Sequence, residues 1–131
     1  MARILLAEDD DSVRAFVRRA LEMDGHAVRA VEDGSEALEV IAEEPSDAFD
    51  LLVSDIKMPV MDGIALALNV ARDRPDLPIL LMTGYADQRE RAHGLDQIVR
   101  DVVSKPFTLA DFRRIVAATL AGVPEPTRLA G

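Results

Sequence analysis

Carboxylates crowd one point of this chain: Glu8-Asp9-Asp10-Asp11 directly follows the apolar run Ile4-Leu5-Leu6-Ala7. Three other short apolar runs end on polar residues able to do chemistry. Leu51-Leu52-Val53 leads into Ser54-Asp55, Ile79-Leu80-Leu81-Met82 into Thr83-Gly84, and Val102-Val103 into Ser104-Lys105-Pro106. Were these ends to meet, Glu8, Asp9 and Asp55 would form a pocket of mutually repelling carboxylates that must take up protons or close around a hard cation. Mg2+ suits such a pocket, because it takes oxygen ligands and keeps part of its water shell. A cation, the Lys105 ammonium and the Thr83 hydroxyl around Asp55 would make a receptacle for a phosphoryl group carried on that carboxylate.

The elements that must bring these ends together can be read from hydrophobic periodicity. Strand-sized apolar runs alternate five times with amphipathic stretches, the pattern of a parallel sheet with crossover helices. The runs at Ile4–Ala7, Ala27–Val31, Leu51–Val53, Ile79–Met82 and Val102–Ser104 read as strands, the third apolar enough to be buried on both faces. Helices are predicted with inward faces at Val13, Phe16, Val17, Ala20 and Leu21; at Ala37, Leu38, Ile41 and Ala42; and at Ile64, Ala67, Leu68 and Ala71. A last helix presents Phe112, Ile115, Val116, Thr119 and Leu120, and a short charged helix is placed over Ala86–Leu95. Ser12 or Asp11 is expected to cap the first helix and Thr108 the last.

The fold class is therefore α/β, a doubly wound five-stranded parallel sheet, with the strand order taken as 2-1-3-4-5. In open sheets of this kind, sites form beyond the carboxyl ends of the strands, where strand order reverses. Strands one and three are then neighbours at roughly 4.8 Å, and strand five lies roughly 10 Å from strand three, a gap that a lysine side chain largely crosses.

Composition narrows the function classes. The 131 residues suffice for one domain of ordinary size, expected over residues 1–121 with a flexible tail at 122–131. Fifteen basic against 24 acidic residues give a net charge of −9, which repels nucleic acid backbones and anionic membranes. Neither is expected as a partner. There is no cysteine, which excludes disulfides and thiolate metal sites and is compatible with a cytoplasmic location. No apolar run approaches the length of a membrane span, and no export signal is visible.

Five spaced signatures, Glu8-Asp9, Asp55, Met58-Pro59 with Asp62-Gly63, Thr83-Gly84 and Lys105-Pro106-Phe107, make residues 3 to 121 resemble the receiver domain of two-component response regulators, the CheY-like family. The resemblance implies a flavodoxin-like (βα)5 fold, with Asp55 as acceptor of a phosphoryl group from a phosphohistidine on a histidine kinase or histidine phosphotransferase. It also implies a Mg2+ held directly by Asp9, Asp55 and the Lys57 carbonyl and through water by Glu8, phosphoryl oxygens held by Thr83 and Lys105, and a cis Lys105-Pro106 bond. A receiver modifies itself and turns over no external substrate. Its output is a protein contact, made by the segment around Ala86–Leu95, the fifth strand and the last helix. The opening segment and the ends of the fourth and fifth strands are further similar to stand-alone cell-cycle receivers of the CpdR type, adaptors whose partner is the ClpX component of the ClpXP protease. A phosphorelay shuttle or a chemotaxis-like motor binder is the alternative.

Val102 stands where many receivers carry an aromatic switch residue, and Tyr85 is the nearest aromatic substitute. Blander readings hold elsewhere: Asp10 and Asp11 as a helix N-terminus, His26 and His93 as solvated side chains, Met58 and Met61 as loop packing. A phosphatase of the haloacid dehalogenase type would need an acid two residues past Asp55, where Lys57 stands, and no Gly-Lys-Ser or Gly-Lys-Thr phosphate loop is present.

Overall fold

A computed structural model describes residues 2–84 and 92–122. Most of the helix expected over Ala86–Leu95, together with Tyr85 and the tail beyond 122, lies outside the described residues; His93–Leu95 forms a 3-10 turn. The strands are β1 (Arg3–Ala7), β2 (Ala27–Val31), β3 (Leu51–Asp55), β4 (Ile79–Thr83) and β5 (Asp101–Ser104). They pair in parallel in the expected order, β2-β1-β3-β4-β5. All five residues of β3 and of β4 are buried, so the middle of the sheet is covered on both faces.

Among the described residues four α-helices do the covering: α1 (Asp11–Met23), α2 (Gly34–Glu43), α3 (Gly63–Asp73) and α4 (Leu109–Ala121). Alternate residues of the central strands point to opposite faces and build two cores. Ile4, Leu6, Val53, Leu80 and Met82 meet Val17, Leu21, Phe112, Ile115 and Val116 of α1 and α4. On the other face Leu5, Leu52 and Leu81 meet Ala37, Val40, Ile41, Leu66 and Val70 of α2 and α3. Each fully buried aliphatic side chain contributes about 1.5–3 kcal/mol, which fixes the strand register and hence which residues stand at the strand ends.

Each of these four α-helices starts on a side-chain cap. Asp10, Asp33, Asp62 and Thr108 accept from the backbone N–H of Val13, Glu36, Ala65 and Asp111. Thr108 was expected; for α1 the cap is Asp10 rather than Ser12 or Asp11, which places the helix start one residue closer to the strand. The chain leaves α1 through Asp24 and Gly25, whose φ of +82° favours glycine.

Three inward faces differ from expectation. In α3, Leu66 and Val70 are buried beside Ala67 while Leu68 is 48% exposed, and in α2 Val40 is buried where Ala42 is not. Phe16 of α1 is 43% exposed, its ring 6.2 Å from that of Phe107, which in turn stacks on Phe112 at 4.9 Å. His26 is not simply solvated: its Nδ1 accepts from the Ala2 backbone N–H at 3.1 Å. Met58 is buried and Met61 packs against the same core, as loop packing predicts.

Candidate functional site

The carboxyl ends of β1, β3, β4 and β5 converge at one edge of the sheet. Ala7 pairs with Ser54, Asp55 with Met82 and Thr83 with Ser104, so Glu8, Asp55, Thr83 and Lys105 follow one another in staggered register. The Ile56 N–H bonds to the Met82 carbonyl at 2.9 Å and the Lys105 N–H to the Thr83 carbonyl at 2.7 Å, extending both ladders past the strands. Carboxylate oxygens of Glu8, Asp9 and Asp55 all lie within 4.8 Å of one another, Glu8 and Asp55 buried and Asp9 exposed. Lys105 does cross from β5: its Nζ is 3.0 Å from Glu8 Oε1 and 3.2 Å from Asp55 Oδ1. Thr83 is buried at the end of β4, and Lys57 lies two residues past Asp55 with an exposed side chain. The Lys105-Pro106 bond is cis, as expected.

The acid run divides its labour. Glu8 and Asp9 belong to the pocket, Asp10 caps α1, and Asp11 in the first turn pairs with Arg14. Burial pushes the Glu8 carboxyl up to about 7, helped by the charge of Asp55 and opposed by hydrogen bonds from Lys105 and the Asp10 N–H. Asp55 is also raised, again first by burial, with Lys105 pulling the other way. Burial disfavours the Lys105 ammonium, but its bond to Glu8 and the two carboxylate charges outweigh that and raise its pKa. One ammonium between two buried carboxylates leaves excess negative charge beside a third acid. A divalent cation fits this all-oxygen donor set, and Glu8, Asp9 and Asp55 are the residues that could hold it.

A pH dependence follows from Glu8. Its folded value of about 7 exceeds the ordinary 4.5, so the folded protein holds the extra proton between these limits. That contribution to stability is complete below about pH 4.5 and is lost as pH rises through about 7. In metal-free buffer thermal unfolding should shift to lower temperature between pH 5 and 7.5, with an upper limit on the order of 3 kcal/mol from this group. Glu8→Gln should flatten the curve, and a variant curve parallel to that of the wild type would show that Glu8 is not the titrating group.

Features that sequence reasoning passed over hold the strand end that carries Asp55. Ser54 Oγ donates to the Asp55 carbonyl at 2.9 Å, and the Ile56 N–H to Asp55 Oδ1 at 3.1 Å. Gly63 donates its N–H to the Ile56 carbonyl at 2.8 Å; a Cβ there would clash with the Asp55 carbonyl oxygen and lie 2.9 Å from Ile56 Cα. Between them Val60 takes a left-handed φ of +69°, rare for a β-branched residue, and Met61 beyond it accepts from the Gly34 N–H. No propensity could have placed Val60 there. The Asp-Gly pair at 62–63 was the one legible signal.

Comparison with known proteins agrees with this geometry. The family model for the response regulator receiver domain matches residues 4–117. The response regulator MprA of Mycobacterium ulcerans is 41% identical over 118 residues, covering 90% of this chain and 50% of that protein. The chain thus spans about half the length of the curated relatives it matches. Among solved structures, the non-phosphorylated HemR receiver domain of Leptospira biflexa superposes with a TM-score of 0.80 at 31% identity, over 92% of this chain and 95% of that one. The chemotaxis response regulator CheY4 of Vibrio cholerae does so with a TM-score of 0.80 at 27% identity, over 91% and 98%. These relatives carry the expectation of a CheY-like domain and do not carry its narrowing to the CpdR type. Among the described residues no helix is long and apolar enough to cross a membrane.

Proposed function

The chain belongs to the response regulator receiver family, and on that premise we propose that Asp55 is its phosphoryl acceptor, with a histidine kinase or histidine phosphotransferase as donor. The observation that carries this is the Lys105 ammonium 3.2 Å from the Asp55 carboxylate, inside a pocket that also gathers Glu8 and Asp9. An Asp55 oxygen attacks phosphorus as the P–N bond to the partner's histidine breaks; the imidazole nitrogen keeps the electron pair and takes a proton. Glu8, Asp9, Asp55 and the Lys57 carbonyl would hold a Mg2+, which would supply charge neutralisation for the incoming group. Lys105 pairs with one phosphoryl oxygen, and the Thr83 hydroxyl donates to another. Because Thr83 closes β4, its movement toward the new charge pulls on the segment that follows, a local electrostatic event able to bias a contact surface.

The test is incubation with Mg2+ and acetyl phosphate followed by intact-mass measurement. Wild type should gain one phosphoryl group and Asp55→Asn none; a full-yield adduct on Asp55→Asn would defeat the assignment.

The output is contact with a partner protein, and the sequence similarity at the ends of β4 and β5 favours a CpdR-like adaptor for ClpXP. State-dependent capture of ClpX by wild type compared with Asp55→Asn supports that output. Reversible phosphoryl exchange with a histidine phosphotransferase, without ClpX capture, marks the shuttle instead.

A further inference from the structure

Of the arginines on α1, Arg14 is the one turned inward: its side chain is only 21% exposed, whereas Arg18 is half exposed and pairs with Glu22 along the helix. Its guanidinium donates to the Glu8 carbonyl at 2.9 Å and to Asp11 Oδ1 at 2.5 Å, and stands 3.9 Å from Glu32 just beyond β2. Glu8 is thereby engaged at every polar atom. Its N–H bonds to the Val31 carbonyl at 3.1 Å, Oε2 accepts from the Asp10 N–H at 3.1 Å, and Oε1 accepts from Lys105 at 3.0 Å. Three of those four partners are main-chain neighbours of the strand end or the site lysine. Arg14 is the fourth, and it ties the end of β1 to the first turn of α1 and to the loop after β2.

We infer that Arg14 is a positioning residue for the acidic pocket, holding the Glu8-Asp9 main chain so that both carboxylates face the cation. The inference rests on the Mg2+ reading above. Two roles for Arg14 predict opposite signs. If it acted only as a countercharge, its removal would leave the pocket more negative and Mg2+ would bind more tightly. If it positions Glu8 and Asp9, removal weakens binding despite the gain in negative charge, by about tenfold as for other supports behind metal ligands. Lysine keeps the charge but lacks the planar fork that reaches a carbonyl and a carboxylate together.

The experiment is calorimetric titration of the full chain with Mg2+ alone, for wild type, Arg14→Ala and Arg14→Lys, alongside amide hydrogen exchange of Glu8–Asp10 without metal. Both variants should bind Mg2+ about tenfold more weakly and exchange faster at these amides, with other strand amides unchanged. Tighter binding by Arg14→Ala, or an Arg14→Lys isotherm matching wild type, would overturn the inference. Should wild type itself bind no Mg2+, the metal reading fails, and the exchange data alone decide: unchanged protection at Glu8–Asp10 in both variants overturns the positioning role, and lost protection supports it.

Discussion

Gly63→Ala should destabilise the fold by about 3 kcal/mol or more and should slow phosphoryl acceptance even under conditions where the variant is folded. The added methyl meets backbone on its near side, the Asp55 carbonyl oxygen and the Ile56 Cα, rather than the end of a flexible side chain. Relief therefore requires moving either the first turn of α3 or the end of β3. The first option strains the Asp62 cap and the Gly63 to Ile56 hydrogen bond, and the second shifts the carboxylate of Asp55, the proposed acceptor. Urea unfolding gives the stability loss, and mass-resolved time courses with acetyl phosphate and Mg2+ give the rate. An unchanged unfolding midpoint would mean that the helix start yields easily, and the close approach would then have no part in placing Asp55.

Lys105→Met should lower the rate of phosphoryl acceptance by roughly 10²–10³-fold, the usual consequence of removing a donor aimed at developing negative charge. Mg2+ affinity should move the other way, because Glu8 and Asp55 lose the ammonium that lies 3.0 and 3.2 Å from them and present more negative charge to the cation. Without metal, two buried carboxylates left unpaired cost about 3–5 kcal/mol at pH 8, and less at pH 5, where Glu8 is protonated. A rate within a few-fold of wild type would remove Lys105 from the phosphoryl site, whatever happened to metal affinity.

The strands were legible because each is a short apolar run ending abruptly on charged or hydroxyl residues, and their parallel pairing followed from the alternation with helices. Helix phase was less legible where a helix is apolar nearly all round. The stretch Ile64-Ala65-Leu66-Ala67-Leu68 satisfies more than one inward face, and its rotation is set by Gly63 packing against the end of β3, a tertiary contact with no trace in periodicity. Ala42 yielded to Val40 for a similar reason, since two neighbouring apolar stripes compete and the larger side chain takes the core. Phe16 fits an inward spacing yet stands half out, because Phe107 and Phe112 already fill the space beneath it.

At the site, Glu8, Asp9, Asp55 and Lys105 were legible as a set because three strand ends carry them, and the structure brings all four residues together. What holds them was not. Arg14 looks in sequence like any other arginine on a charged helix, and Ser54 like an ordinary strand residue. Their roles depend on main-chain carbonyls, which every residue possesses and no sequence pattern marks.

The most direct measurement is the position of the phosphoryl group itself. After Mg2+ and acetyl phosphate treatment, borohydride reduction of the acyl phosphate and fragment-resolved mass spectrometry should locate the reduced side chain at residue 55 and nowhere else. A label at Glu8 or Asp9, or a Mg2+-independent label spread over surface carboxylates, would contradict the account.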